Sequence, residues 1–372
     1  MEKSYIVQVV RTPLGGIRKH ILSIIEILLE QNNCNLILIT NEEDSDIHYK
    51  EFKAKYNKNI LYYNIPIVDQ PGISDLTNIL KIFKILKNKK ITVIHGHGAK
   101  GGLYARLIGV IHKSKVFYTS HGGSLHKMHG KLKNKIYQFI EMFLYFFTTK
   151  LLFESNYSMN QYIKYVHKKT NKFLLNYNSI EFPVDFKNTK LKNIQIDKLI
   201  NISAFGLLRE IKGHTELIRA VKLLKNKSID LKLNIYGDGP EKSNLINLVQ
   251  ELHLQENVEI HGYTEKVQEK MIASDIIVHP SFFESFGYVP LESLTLGIPT
   301  VSSLNGGLKE VMIEGNISYN INEVTPENIS EAIYNTIYNQ DENSKQFDLN
   351  KIELQKRFDQ ENFRKIILKE YF

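Results

Sequence analysis

The stretch IIVHPSFFESFGYVPLESLTLG, residues 276–297, decides the fold. Its β-branched start, Ile276–Pro280, reads as a buried strand. The chain then turns through a tight loop and enters a helix near Gly287, which tolerates Pro290 in its first turn and stops at Gly297. A strand feeding a loop and a helix is half of a βαβ unit, and the same alternation recurs on both sides, the signature of parallel sheets flanked by helices. Upstream in this half, Leu199–Ala204, Leu231–Tyr236 and Val258–His261 read as strands, and Thr300–Ser302 follows. An earlier series, Tyr5–Val10, Leu36–Thr40, Val93–His95, Val116–Ser120, Lys150–Phe153 and Phe173–Leu175, precedes a polar stretch at Lys187–Lys198. The expectation is α/β: two Rossmann-like doubly wound domains joined near Pro183 and facing a cleft.

Length and composition agree. At roughly 150 residues per domain, 372 residues give about 2.5, a prior for two domains. A charged fraction of 24% and a hydrophobic fraction of 42% exclude a disordered or fibrous chain. The net charge of +8 comes mostly from scattered lysines, which argues against a nucleic-acid partner and fits an anionic substrate or an anionic membrane face. A single cysteine, Cys34, excludes an internal disulfide, and MEKSYIVQVVRTP holds too short an apolar run for a signal peptide. The expected location is the cytoplasm or its membrane face. One segment departs from the alternation: Ile136–Phe147 is apolar nearly all round, follows Lys131, Lys133 and Lys135, and is too short to span a bilayer. It reads as a helix buried in the first domain, with an interfacial anchor as the alternative.

Open α/β sheets bind ligands beyond the carboxyl ends of their strands, so residues after strands are the candidates. Around Gly287, the amides of Phe286, Gly287 and Tyr288 point from a helix start, where the macrodipole favours an anion such as a diphosphate. Glu284 in the loop and Glu292 inside the helix can accept hydrogen bonds from hydroxyls on either side. The loop Gly206–Gly213 carries Arg209 and Lys212 but lacks the glycine and Lys-Ser/Thr spacing of a P-loop. His121 ends a strand before Gly122 and Gly123. His95 and His97 have no carboxylate or cysteine at metal-ligand spacing, so no metal is expected there. Asp44-Ser45-Asp46 sits in an acidic run and reads as a solvated loop. No G-x-S-x-G elbow and no early G-x-G-x-x-G occur, which counts against a hydrolase and a dinucleotide dehydrogenase.

The order of these pieces resembles a retaining glycosyltransferase of family 4, with the two-domain GT-B fold. The likeness runs from Gly15-Gly16 with His20, through Thr119-Ser120-His121-Gly122 and Asn178-Ser179-Ile180-Glu181, to Lys212-Gly213 and Gly237-Asp238-Gly239-Pro240. It continues through Gly262, Pro280-Ser281 and Glu284 to Glu292, and closes with Asn305-Gly306-Gly307 and Glu310. The resemblance implies an acceptor-side domain at 1–183, a nucleotide-sugar domain at 184–355, and a last helix, 356–372, returning to the first domain. Catalytic roles would fall to His121, Lys212 and Glu284. Donor binding would fall to Gly15, Gly16, Gly206, Arg209, Lys212, Phe286, Gly287, Tyr288 and Glu292. No metal and no cofactor beyond the nucleotide sugar are implied.

One position departs from the family pattern: Leu207 stands where an arginine is usual, and Arg209 is the expected substitute. The run His95–Gly102 resembles members that build bacterial capsule, O-antigen or exopolysaccharide on a lipid carrier. The expected activity is therefore transfer of a hexosyl or N-acetylhexosaminyl group, with retention, from a UDP-linked donor to a lipid-linked glycan at the inner membrane. The alternatives are a degenerate member acting as a partner subunit and a GT-B nucleotide-sugar epimerase.

Overall fold

The structure is a computed structural model that describes residues 4–31, 34–43, 45–122, 125, 130–313, 320–321 and 323–372. Asp44 and Gly123 lie outside them. The chain divides into two compact units, Met1–Ser179 with Gln360–Phe372, and Ile180–Asp359. The resemblance implies divisions at 183/184 and 355/356. The structure sets them at 179/180 and 359/360, because the Ile180 N–H bonds the Phe358 carbonyl and Ile180 bridges Asp359 inside the second unit.

In the first unit, β1 (Tyr5–Val10), β2 (Asn35–Thr40), β3 (Ile60–Asn64), β4 (Ile91–His97), β5 (Lys115–Thr119), β6 (Lys150–Phe153) and β7 (Phe173–Leu175) form one sheet. Its order is β3-β2-β1-β4-β5-β6-β7. In the second unit, β8 (Ile200–Phe205), β9 (Leu231–Tyr236), β10 (Val258–Gly262), β11 (Ile276–His279), β12 (Thr300–Ser303) and β13 (Asn320–Ile321) are ordered β10-β9-β8-β11-β12-β13. Every pairing described is parallel. Helices cover both faces, so inner strands such as NLILIT and IIVH are buried along their length, and Val and Ile runs follow from that. β3 and β13 carry little such signal: β3 is an edge strand that mixes buried Ile60 with exposed Leu61, and β13 has two residues.

The helix Gly15–Leu29 buries Ile21, Ile24, Ile25 and Leu28, a single stripe at helical spacing, against the first sheet. The last helix, Gln360–Tyr371, adds Phe363, Ile367 and Tyr371 to that same core.

The apolar segment is a helix, Lys131–Tyr145, and it corrects the buried reading. Leu132, Ile136, Phe139, Ile140, Phe143 and, just beyond, Phe146 form an outward stripe, with Phe139 71% exposed and Phe146 72%. Glu141 turns inward with Leu144 and Tyr145, and its carboxylate takes two hydrogen bonds from the fully buried Arg106 at 2.7 and 3.1 Å. Tyr118 donates a third at 3.2 Å. Removing either member of such a buried pair costs about 3–5 kcal/mol, because the other charge is left unpaired. That anchor, rather than the apolar count, fixes which face is covered.

Candidate functional site

Each sheet reverses its strand order once, between β1 and β4 in the first unit and between β8 and β11 in the second. Loops diverge there and leave a crevice beyond the carboxyl ends. The candidate residues gather at both places.

In the second unit the loop after β8 and the loop after β11 are locked together. Phe282 N–H donates to the Ile211 carbonyl at 2.8 Å. Gly213, at φ 70°, lies so close to Pro280 that a Cβ would sit 2.1 Å from its carbonyl oxygen. Only glycine fits this approach. Gly306 does the same for the other side: its Cβ would stand 2.0 Å from the Glu284 carbonyl, and the Gly307 N–H donates to that carbonyl at 2.9 Å. Held this way, Lys212 Nζ forms an ion pair with Glu284 Oε1. His279 Nε2 lies 3.0 Å from the same oxygen and Ser281 Oγ donates to it at 3.3 Å.

Burial alone would raise the Glu284 pKa, but the Lys212 charge and the His279 hydrogen bond outweigh it and hold the carboxyl far below its ordinary range. His279 is lowered by burial against the opposing pull of Glu284. It is therefore a neutral donor to the carboxylate. Beside the pair, Gly287 caps the helix Tyr288–Thr295, whose first-turn amides have no acceptor within the helix. Glu292 lies within that helix, half-buried. A cation, a helix start and two carboxylates at one switch point suit an anion flanked by hydroxyls.

In the first unit the switch point is lined by imidazoles. His20 comes from the helix after β1, His95 and His97 from the end of β4, and His121 follows β5 with a left-handed backbone, φ 49°. His97 Nδ1 stands 3.2 Å from His121 Nε2, and the His20 ring lies 4.7 Å from that of His121 and 5.4 Å from that of His97. Gln8, Asn178, Thr119 and Tyr371 supply oxygen partners around them. Burial lowers all four pKa values, that of His20 to about 4, so the cluster is neutral.

A family model for glycosyltransferase family 4 matches residues 14–180, and one for glycosyl transferases group 1 matches residues 187–353. Together they span both units. The chain belongs to the family 4 glycosyltransferases. A 41.2 kDa protein in the cps region of Klebsiella pneumoniae is 27% identical over 323 residues, 83% of this chain and 84% of that one. The Escherichia coli UDP-Gal:alpha-D-GlcNAc-diphosphoundecaprenol alpha-1,3-galactosyltransferase is 26% identical over 248 residues, 63% of each chain. HepE of Anabaena, solved with UDP and glucose, matches with a TM-score of 0.80 at 16% identity over 99% of both chains. The fold is GT-B.

Set against this glycosyltransferase's sequence motifs, the structure brings Lys212 and Glu284 together, with Phe286 and Gly287 following Glu284 into the start of the helix Tyr288–Thr295 that carries Glu292. Gly206 directly follows β8, and Arg209 is exposed in the same loop, making no ion pair among the described residues. Leu207 is exposed as well. In the other unit, Gly15 and Gly16 are exposed at the start of the helix after β1. Asp46 is structural: it caps the helix Ile47–Tyr56 by accepting from the Tyr49 N–H at 3.1 Å, and it pairs with Arg18. Sequence reasoning missed His279 and gave no role to Ser281, although both stand just before Glu284 at a strand end. It also weighed His97 for metal by local spacing alone, whereas its neighbours His20 and His121 come from other elements.

Proposed function

We propose that this protein transfers a sugar, with retention of anomeric configuration and without a metal at the donor, from a UDP-sugar to a lipid-linked glycan during bacterial surface-polysaccharide synthesis. The observation that carries the reading is the Lys212–Glu284 pair beside the Tyr288 helix start. Breaking the bond from the anomeric carbon to the phosphate oxygen puts charge on the departing diphosphate. Lys212, Arg209 and the amides of Phe286, Gly287 and Tyr288 are donors fixed in advance for that charge, and such donors lower the barrier. Glu284 accepts from a donor-sugar hydroxyl and Glu292 from the ribose. The UDP choice is supported by the ligand of HepE, and the lipid-linked acceptor by the name of the E. coli relative.

The outward stripe of the Lys131–Tyr145 helix supports work at a membrane. Its aromatic and aliphatic side chains stand beside exposed Lys133 and Lys135, a pairing that suits the headgroup boundary of an anionic bilayer. Among the described residues no helix is long and apolar enough to cross one.

The test is transfer from a panel of UDP-sugars to GlcNAc-diphosphoundecaprenol in anionic vesicles containing EDTA. The expected result is an elongated lipid and UDP, both lost in Lys212→Ala. UDP binding without transfer to any lipid-linked acceptor would replace this reading with a partner subunit, the role that Leu207 in place of the family's arginine favours.

A further inference from the structure

The strongest feature outside the Lys212–Glu284 site is the histidine cluster of the first unit. His20, His97 and His121 each present one ring nitrogen such that the three lie within 4.8 Å of one another. Two of these rings have their other nitrogen opposite a side-chain amide oxygen. His20 Nδ1 is 2.6 Å from Asn178 Oδ1, and His97 Nε2 is 2.7 Å from Gln8 Oε1. An amide oxygen accepts only, so the proton sits on His20 Nδ1 and on His97 Nε2. That leaves lone pairs on His20 Nε2 and His97 Nδ1, the atoms that face the cluster. His20 Nε2 is buried and has no hydrogen-bond partner among the described residues. A nitrogen lone pair kept buried and unpartnered carries a cost unless something fills the place.

The outer layer continues in one consistent direction. The Gln8 amide nitrogen donates to Tyr371 Oη at 3.1 Å, and Tyr371 donates to His95 Nδ1 at 2.5 Å. His95 Nε2 then donates to Thr119 Oγ1 at 2.9 Å. Gln8 is thereby held with its oxygen toward His97. Metal-binding imidazoles carry this kind of second layer, in which the remote N–H is fixed by an oxygen and the ring is aimed.

We propose that His20 Nε2, His97 Nδ1 and His121 Nε2 bind one transition-metal ion of the zinc class, with the fourth position left for water on the partly exposed side of His121. Three neutral imidazoles and an open site are a recognised ligand set for zinc, and tetrahedral bonds of about 2.0–2.1 Å call for nitrogens about 3.3 Å apart. The His97–His121 pair already stands at 3.2 Å. His20 closes the remaining gap by a small ring movement. In the ion-free state the His121 Nε2–H donates to His97 Nδ1, and on binding His121 carries its proton on Nδ1 instead. The ion is held by residues of the first unit alone. Its effect is to tie the His97–Gln8–Tyr371 chain, and with it the last helix, to the sheet.

The probe is Co²⁺ added to the full chain without an affinity tag, followed by displacement with Zn²⁺. The expected result is an intense visible absorption of tetrahedral cobalt saturating at one ion per chain, and a Zn²⁺-dependent rise in melting temperature. His121→Asn, which keeps a residue that accepts the left-handed backbone, should remove the tetrahedral spectrum and weaken binding at least a hundredfold. Gln8→Leu should weaken it about ten- to a hundredfold through loss of the second layer. His261→Ala, on the surface of the other unit, should leave it unchanged. No tetrahedral spectrum with the unaltered chain would overturn the proposal, as would a spectrum and affinity that persist in His121→Asn and in folded His20→Ala.

Discussion

At the ends of β1 and β4 the first unit gathers four neutral imidazoles, whereas at the ends of β8 and β11 the second gathers an ammonium, two carboxylates and a helix start. The two places correspond in topology, since each is where its sheet reverses strand order. What differs is how each offsets burial. The first unit discharges its groups, pushing His20 to about 4 and His95, His97 and His121 well below their ordinary value. The second keeps its charges and pairs them, holding Glu284 ionised through Lys212 and His279. A neutral cluster offers lone pairs to hydroxyls or a cation. A paired charge beside helix amides is ready to exchange one partner for an anion. One backbone plan thus supports two chemistries, and the side chains at the switch point decide between them.

The contrast breaks most visibly at Lys212. Lys212→Ala should lower sugar-transfer turnover by about a hundred- to a thousandfold, the effect of removing one fixed donor to developing charge. A steady-state assay at saturating donor checks this, and an effect below tenfold would deny Lys212 its role. The matching change in the first unit acts on stability instead. His95→Ala takes the acceptor from the buried Tyr371 hydroxyl and the donor from Thr119 Oγ1, and should cost about 1–3 kcal/mol in urea unfolding, while UDP affinity stays as it was.

Acid sharpens the comparison further. His214 is buried beside the charged pair, and burial, with the nearby His279 and Lys212, lowers its pKa from 6.5 to about 3. The unfolded chain takes up a proton below 6.5 that the native state refuses, so stability is lost as pH falls from 6.5 toward 3, by about 1.4 kcal/mol per unit. Glu284 works in a lower window: its contribution is full above 4.5 and is lost progressively as pH falls below that value toward its depressed folded-state pKa. Urea unfolding at pH 7.5 and 5.5 should therefore show a loss on acidification that is about 1.4 kcal/mol smaller in His214→Gln. The smallest expected effect is at Arg209, where replacement by Ala should weaken UDP binding about tenfold, one charge-assisted hydrogen bond. No change there would mean that Leu207 is not compensated.

Most of the architecture was legible because parallel strands buried on both faces must be runs of Val and Ile, and the loops after them must carry the glycines. β3 escaped because an edge strand such as ILYYN need not be apolar on both faces. The Lys131–Tyr145 helix was read first as buried, with an interfacial anchor as the alternative, because Ile136–Phe147 is apolar nearly all round and composition does not say which side is covered. Which face is covered was settled by Glu141 reaching Arg106, a pairing across 35 residues of chain with no periodic signal. The donor-side residues were legible because Lys212, Glu284 and Glu292 lie in short strand-loop-helix segments where spacing maps to space. The histidine cluster was not, since His20, His97 and His121 meet only when three separate elements converge.

The measurement that tests the account most directly is calorimetric titration of the protein with UDP in EDTA, alongside GDP, CDP and TDP, repeated with Lys212→Ala. The account predicts binding of UDP in preference to the others, unaffected by the chelator and weakened at least tenfold by the substitution. Absence of UDP binding, or UDP binding that Lys212→Ala leaves unchanged, would contradict a donor site built on the Lys212–Glu284 pair.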